Sequence, residues 1–297
     1  AANEVEHDFW VEFRRRVRQI NPEAWITGEI WEIALEWLGG DQFDAVTNYP
    51  LRGAILDFFV ALEADPAYER SADRIAELTV AVPPQVLAVQ YNHLSSHDVP
   101  RLLSIARGDT AKAIQAATFQ FARPGAPVIY YGDEIGMEGG EDPDNRRAFP
   151  WNQPDAWNNA MRNRYRELIG LRKSIPTLAA PTWRPLYARE RLLVVATRDD
   201  HGTLIMAFNA SGAVSAPVEI RLPADLAGAA SRFTDLLGAA PIAGGDLVMT
   251  IPSIEADDLA AVQAVLQTGY LVQGQHVAAF EQGVAAYVGT RHAVAVS

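Results

Sequence analysis

Apolar residues near the start of the chain recur at helical spacing. Val5, Phe9, Phe13 and Val17 follow one another every four residues, with charged residues between them. Positions four apart lie on one face of an α-helix. The pattern predicts an amphipathic helix from Glu4 to about Ile20.

After this helix, short apolar runs alternate with helical stretches up to residue 182. The runs are AWITGEIW, FDAVTNYPL, VLAVQYNHLSSHD and APVIYYGDEIG, and the helices are predicted at about 51–62, 71–82, 110–121 and 156–175. Such alternation predicts parallel βαβ units and an α/β fold. Because each run ends in polar residues, the four strands fit part of a (β/α)-barrel. The alternative is an open, doubly wound sheet.

The pattern changes period twice more. RLLVVATRDDHGTLIMAFNAS places two β-rich runs around Asp199-Asp200-His201-Gly202, and APVEIRLPAD and GDLVMTIPS continue as short strands. These runs predict a hairpin within a small antiparallel β-sandwich. From residue 252 the pattern is helix, glycine break, helix. We therefore expect three parts: 1–182, 183–251 and a helical tail at 252–297.

Composition narrows the range of functions. The net charge of −12 disfavours a nucleic-acid partner, and the three arginines Arg14 to Arg16 make too small a basic patch, which we expect to be a solvated helix face. No apolar run is long enough to span a membrane. The absence of cysteine excludes disulfides and thiolate sites and fits a cytoplasmic protein, with secretion as the open alternative.

Polar residues whose side chains can take part in catalysis or binding lie at the strand ends. They are Glu29, Asn48-Tyr49, His97-Asp98 and Asp133-Glu134. Such ends face one pocket in a barrel, which suits acid/base or nucleophilic chemistry. A single carboxylate there is as often a cap or an ion-pair partner, and we expect Asp133-Glu134 to anchor the last strand. No spacing typical of a metal site occurs, so no metal ligands are assigned.

Five segments together resemble one known family. ANEVEHDFW, GEIW, FDAVTNYPLR, SSHDVPR and PGAPVIYYGDEIGMEGGEDPDNRRAFPW occur in the order and at the spacing of the α-amylase superfamily, glycoside hydrolase family 13. Within it they resemble the neopullulanase, cyclomaltodextrinase and maltogenic amylase group. The resemblance covers residues 1–251 and implies the C-terminal half of a (β/α)8 TIM barrel, with its last four strands, followed by the β-sandwich.

The resemblance also implies roles for particular residues. Glu29 matches the general acid/base, and Asp98 matches the carboxylate that grips sugar hydroxyls and stabilises the transition state. His97 and Trp31 match a substrate-binding histidine and an aromatic platform. Asp142 and Arg146 match a pair that binds a sugar on the non-reducing side. The implied substrate is an α-glucan oligosaccharide or a cyclodextrin, cleaved with retention at α-1,4 bonds, with α-1,6 bonds as a second candidate.

The nucleophile of this reaction is not among these residues. Family members carry the nucleophile in a segment similar to GWRLDVANEV, whereas this chain begins AANEV. By resemblance the nucleophilic Asp immediately precedes Ala1. We therefore expect the chain to be an inactive fragment of an enzyme. The alternative is a non-catalytic, amylase-like binding module.

The tail resembles a second family. LQTGYLVQG, FEQGVAAYVG and HAVAVS are similar to the N-terminal start of the DegT/DnrJ/EryC1/StrS sugar aminotransferases, which use pyridoxal phosphate. The phosphate-binding turn and the Schiff-base lysine of that family are not among these residues, so no cofactor is expected. We expect a fused or misjoined reading frame near Ile251. The alternatives are a two-helix cap on the β-domain and an aminotransferase fragment.

Overall fold

The computed structural model describes residues 2–61, 70–189 and 191–212, and beyond these the short pieces 218–220, 222–223, 226, 232–234, 241–243 and 247–249. The chain divides into two compact units, Ala1–Ser215 and Ala216–Ser297. The tail at 252–297, predicted to be helical, lies outside the described residues.

Helices and strands alternate through the first unit. The helices are α1 His7–Ile20, α2 Tyr49–Phe59, α3 Ser71–Ala81, α4 Pro84–Leu87, α5 Leu102–Ile105, α6 Thr110–Phe121 and α7 Asn159–Ser174. The strands are β1 Thr27–Gly28, β2 Ala45–Val46, β3 Tyr91–His93, β4 Ala126–Val128, β5 Arg184–Arg189, β6 Leu192–Asp199 and β7 Gly202–Asn209. Short 3-10 helices occupy Ala2–Glu4, Leu35–Trp37, Asp133–Ile135, Asp144–Arg146, Pro154–Ala156 and Pro176–Ala179.

The first four strands run parallel and lie in chain order. Thr27 of β1 pairs with Ala45 of β2, and Tyr91 of β3 pairs with Ala126 of β4. A parallel bridge from Thr47 to Tyr91 joins the two pairs. This order confirms the predicted parallel α/β units. It brings the carboxyl ends of neighbouring strands to one edge.

Side-chain caps explain where three of the helices begin. Asn48, Asp109 and Asn158 each accept a hydrogen bond from the backbone N–H three residues later, at the starts of α2, α6 and α7. These residue types satisfy N–H groups that have no partner inside the helix. The caps also fix the path of the strand-to-helix turns, and Asn48 does so directly beside the candidate site.

Burial differs sharply between the helices. Helices α2 and α6 pack into one apolar cluster through residues such as Leu51, Phe58 and Phe119. Helix α1 contributes no buried residue, and Phe9 on it is 53% exposed. The expectation that Arg14 to Arg16 form a solvated face is wrong for Arg14, whose Nη2 donates to Asp44 Oδ1 at 2.8 Å. Asp44 lies just before β2 and is close enough to hold α1 against this strand.

An antiparallel sheet follows α7. Strands β5, β6 and β7 are neighbours in that order, and Asp199 pairs with Gly202 at the end of the β6–β7 hairpin, as predicted. In the second unit β8 Val218–Ile220 pairs with β11 Leu247–Met249, and β9 Arg232–Thr234 pairs with β10 Pro241–Ala243, both antiparallel. No helix within the described part of the chain is long and apolar enough to cross a membrane.

Candidate active site at the ends of the parallel strands

Glu29 is positioned by a close approach of backbone and ring. Strand β1 ends at Gly28, and a Cβ atom added there would lie 2.5 Å from Cε2 of Phe43. Only glycine allows this contact without displacing the ring. The strand therefore packs tightly on Phe43, and the next residue, Glu29, leaves the strand at its carboxyl end.

The first residues of the chain lie beside Glu29. The N–H of Ala2 donates to the carbonyl of Glu29 at 3.0 Å. The carbonyl of Ala2 in turn accepts from Nε1 of Trp10 at 2.9 Å, so the turn at Ala2–Glu4 is tied both to β1 and to α1. The backbone preceding α1 thus meets the backbone that carries the candidate acid.

Three side chains from two strand ends form one cluster. Glu29, His97 and Asp98 each offer one nitrogen or oxygen atom, and these atoms all lie within 4.8 Å of one another. His97 Nε2 lies 3.2 Å from Asp98 Oδ2. Glu29 and Asp98 are partly buried and His97 is exposed. The structure brings together the two carboxylates that the sequence singled out, in a place that solvent can reach.

Arg146 joins this cluster from a later loop. Its Nη2 donates to Asp98 Oδ1 at 3.3 Å, and its Nε donates to the carbonyl of His97 at 2.9 Å. Nε also lies 2.9 Å from Asp142 Oδ1. The guanidinium therefore links Asp98 to Asp142, and the pair predicted for sugar binding lies next to the carboxylate cluster.

Asn145 is a site residue that the sequence reasoning missed. It is fully buried, and its Nδ2 lies within hydrogen-bond distance of the carbonyls of Ser96, His97 and Val99, at 3.3, 2.9 and 2.9 Å. These bonds dock the loop that carries Arg146 onto the loop that carries His97 and Asp98. The signal in the sequence was its position next to Arg146. Its importance follows from its burial, because a buried amide is costly unless it is hydrogen-bonded.

Trp31 lies on the same side, stacked on Tyr49. The two ring centroids are 3.8 Å apart with an angle of 5° between planes, and Trp31 is 43% exposed. The hydroxyl of Tyr49 lies 3.3 Å from Ser96 Oγ, which accepts from the backbone N–H of Asp98 at 3.1 Å. One face of the indole is thus covered by a residue that also contacts the His97–Asp98 loop.

The carboxylates influence the two tyrosines nearby. Burial raises the pKa of Tyr49, and the charges of Glu29 and Asp98 raise it further. Burial also raises the pKa of Tyr91, with Glu29 adding to the effect. Burial and the charge of Arg52 lower the pKa of His93 to about 4, so this histidine stays neutral at neutral pH.

Asp133 is not part of the cluster. It is 5% exposed, and its Oδ1 accepts from Nη1 of Arg101, itself 0% exposed, at 3.3 Å. Burial raises the pKa of Asp133 to about 7, and Ser95 and Arg101 oppose this rise. Glu134 Oε2 accepts from the N–H of Gly132 at 2.8 Å. Asp133 therefore lies in the protein interior against Arg101, which agrees with the expectation that Asp133-Glu134 anchor the last strand instead of acting in the cluster.

Glu29, His97 and Asp98 offer three donor atoms within 4.8 Å of one another, a set that could hold a metal ion although no ligand spacing in the sequence indicates one. Arg146, however, already places a positive charge 3.3 Å from Asp98. A metal ion would have to displace this guanidinium or bear its repulsion. The arrangement suits hydrogen bonding to a neutral, hydroxyl-rich ligand better.

Comparison with known proteins agrees with the site. A family model described as the α-amylase catalytic domain matches residues 2–174, and the DegT/DnrJ/EryC1/StrS aminotransferase family matches residues 252–297. Both resemblances noted in the sequence are thereby confirmed. The chain is 41% identical over 229 residues to a cyclomaltodextrinase of Geobacillus thermopakistaniensis (strain MAS1), covering 76% of this chain and 38% of the relative.

Two further proteins give the same picture. Neopullulanase 2 of Thermoactinomyces vulgaris is 43% identical over 187 residues, covering 63% of this chain and 32% of its own length. A solved cyclomaltodextrinase structure superposes with a TM-score of 0.73 at 36% identity, covering 85% of this chain and 42% of that one. The chain thus spans well under half the length of these relatives. With more than half of its own residues matched by the family model, the chain belongs to the α-amylase catalytic-domain family.

Proposed function

We propose that residues 1–251 form part of a retaining α-glucan hydrolase or transglycosylase that acts on α-1,4 bonds and also on α-1,6 bonds. The observation that carries the proposal is the clustering of Glu29, His97 and Asp98 within 4.8 Å. Glu29 serves as general acid/base. Asp98 and His97 bind sugar hydroxyls, Trp31 stacks on a sugar ring, and Asp142 and Arg146 bind a neighbouring sugar.

The chemistry of glycoside cleavage suits these roles. The leaving oxygen must be protonated while positive charge develops on the sugar ring, and a fixed carboxylate stabilises that charge. Asp98 is held on both sides, by His97 at 3.2 Å and Arg146 at 3.3 Å, so its direction is set before a sugar arrives. The cost of orienting it is therefore met in folding rather than in the reaction.

A retaining reaction also needs a nucleophilic carboxylate about 5 to 5.5 Å from the acid. The carboxylates that the described residues bring into the cluster are those of Glu29 and Asp98. Since the resemblance gives Asp98 another role, we infer that the nucleophile is a residue joined to Ala1 on its N-terminal side. The bond from Ala2 N–H to the Glu29 carbonyl supports this, because it holds the first residues next to the acid. Residues 1–297 alone then show no turnover.

The substrates follow from the relatives. Cyclomaltodextrinase and neopullulanase are named for cyclic maltodextrins and pullulan, so we propose a cyclodextrin or an α-glucan oligosaccharide as substrate. We further propose that β1 to β4 are the last four strands of a (β/α)8 barrel. The boundaries near residues 182 and 251 then separate the barrel from a β-sandwich and from the tail.

A chimaera tests the proposed function. The part of the Geobacillus cyclomaltodextrinase that precedes the matching region is joined in front of Ala1, with Asp directly before it. We expect β-cyclodextrin to be hydrolysed with retention of configuration, as followed by NMR of the product anomer. Glu29→Gln should reduce turnover by about a hundredfold to ten-thousandfold, the usual contribution of a general acid. A chimaera with Asn before Ala1 is the matched control.

Two results would contradict the proposal. Turnover by residues 1–297 alone that is lost in Asp98→Asn would make Asp98 the nucleophile and the inferred upstream residue unnecessary. A folded Asp chimaera that binds cyclodextrin without cleaving it would mean a binding module instead of an enzyme.

A further inference from the structure

An exposed aromatic platform lies in the loop that follows Arg146. Trp151 is 76% exposed, and its ring centroid lies 4.2 Å from that of Phe149 and 6.4 Å from that of Trp157. Phe149 and Trp157 are 5.4 Å apart, edge to face. We call Phe149, Trp151 and Trp157 the aromatic platform. An indole this exposed contributes little to the apolar core, and unlike a singly exposed apolar side chain it belongs to a group of three rings.

Hydrogen bonds and a cation–π contact fix the loop that carries the platform. Trp157 Nε1 donates to the carbonyl of Pro150 at 3.1 Å, and Arg162 lies 5.5 Å from the centroid of the Trp157 ring. The N–H of Asn158 donates to the carbonyl of Ile135 at 2.9 Å, while its side chain caps α7. The rings are therefore presented to solvent on a braced loop, which lowers the entropy lost when a ligand binds.

The platform lies within a short stretch of chain from the candidate active site. Trp151 is five residues from Arg146, whose guanidinium contacts Asp98. Five residues span at most about 18 Å at full extension, since each adds at most about 3.6 Å. Tyr131 supports the segment between them, because its hydroxyl donates to the carbonyl of Arg147 at 2.8 Å. A chain of several sugars bound at Asp98 is long enough to extend to Trp151.

The chemistry of the surface favours a sugar chain as its ligand. A pyranose ring has one apolar face and a rim of hydroxyls. The apolar face can pack on an aromatic ring while the hydroxyls form hydrogen bonds with water or polar side chains at its edge. Asn152 and Gln153, directly after Trp151, are exposed and offer amide donors and acceptors for such hydroxyls. The net charge of −12 disfavours nucleic-acid bases as the stacking partner.

We propose that the aromatic platform is a remote subsite that binds an α-glucan chain several sugars away from the bond cleaved at Glu29. The inference rests on the proposed function for the class of its ligand. A remote subsite increases the affinity for long glucans and has no effect on the affinity for a disaccharide. Trp151 supplies the stacking face, and Phe149 and Trp157 hold it in place.

Calorimetric titration of the 297-residue chain with maltose and with maltoheptaose tests the proposal. We expect Trp151→Ala to weaken maltoheptaose binding by about fivefold to tenfold, the size of one aromatic stacking contact, and to leave maltose binding unchanged. Trp151→Phe should retain most of the affinity. Trp25→Ala is the matched control, because Trp25 is 45% exposed but precedes β1, at the end of the strand away from Glu29.

Three outcomes overturn the subsite. The first is unchanged maltoheptaose binding in Trp151→Ala. The second is an equal loss for maltose and maltoheptaose, which would point to a folding defect. The third is concentration-dependent self-association that Trp151→Ala abolishes without affecting sugar binding, which would make the platform a contact with a second copy of the chain.

Asp98→Asn separates the subsite from the proposed function. If it weakens maltose binding while Trp151→Ala has no effect on maltoheptaose, the function stands and the subsite fails. If only Trp151→Ala has an effect, the platform binds glucan and the assignment of Asp98 fails. If neither maltose nor maltoheptaose binds to the chain, the subsite is contradicted. Turnover by the chimaera then tests the proposed function separately.

Discussion

Two arginine–aspartate pairs near the strand ends have the same separation and opposite surroundings. Arg146 and Asp98 lie 3.3 Å apart, with side chains 44% and 31% exposed. Arg101 and Asp133 also lie 3.3 Å apart, but their side chains are 0% and 5% exposed. The distance is therefore uninformative about what each pair does. Burial separates the two pairs: the side chains of Arg146 and Asp98 are open to solvent and can form other hydrogen bonds, whereas those of Arg101 and Asp133 are enclosed by protein.

Their other contacts reinforce the difference. Arg101 also donates to the carbonyls of Tyr131 and Asn145, at 2.6 and 3.0 Å, and its guanidinium lies 4.5 Å from the centroid of the Tyr130 ring. It thus joins its own loop to the loop that carries Tyr131 and Asp133 and to the loop that carries Asn145. Arg146 contacts the His97 carbonyl, Asp98 and Asp142, and its side chain stays 44% exposed. A buried charge must be paired to be tolerated, whereas an exposed one keeps water as an alternative partner.

Breaking the buried pair should give the largest effect. We expect Asp133→Ala at pH 4, where the stabilising contribution of this acid is complete, to lower the free energy of unfolding by about 3 to 5 kcal/mol, because it removes the buried partner of Arg101. Urea unfolding followed by circular dichroism measures the change. The control is Asp98→Ala, for which about 0 to 1 kcal/mol is expected of an exposed pair. Equal losses in the two variants would refute the distinction.

Neutralising the exposed pair should affect turnover instead of stability. In the Asp chimaera we expect Asp98→Asn to reduce kcat by about a hundredfold to a thousandfold, the usual cost of removing one group that stabilises developing charge. Its urea midpoint should stay close to that of the parent. A variant that unfolds at much lower urea would assign Asp98 to the structure rather than to the reaction.

The third effect is a pH dependence of stability from Asp133. Burial raises the pKa of Asp133 in the folded protein to about 7, above its ordinary value of 3.8. The stabilising contribution is therefore complete below pH 4 and is lost as the pH rises towards 7. Between these values the folded state holds a proton on Asp133 that the unfolded state has released, so the contribution of Asp133 to the free energy of unfolding should fall by about 1.4 kcal/mol per pH unit.

Asp133→Asn isolates that contribution. The variant lacks the titrating group, so the difference in unfolding free energy between it and the parent should shrink or reverse steadily from pH 4 to pH 7. A difference that stays constant over this range would mean that Asp133 is ionised throughout and that Arg101 outweighs burial.

Much of the scaffold could be predicted from patterns in the chain. The helix expected at about 110–121 is Thr110–Phe121, because Asp109 caps it and its apolar residues recur at helical spacing. The proximity of Glu29 and Asp98 followed from parallel strands whose carboxyl ends meet at one edge. Arg14 was misjudged, because its partner Asp44 comes 30 residues later and no local pattern reveals it.

The sequence by itself determined the alternation of elements, the strand ends that carry carboxylates and the family to which they belong. These depend on local periodicity and on short stretches of sequence. Only the tertiary structure decided that Asp98 is open to solvent while Asp133 is buried against Arg101, and that Asn145 holds the two site loops together. Whether a side chain meets water or another side chain depends on residues distant in the chain, which packing alone brings near.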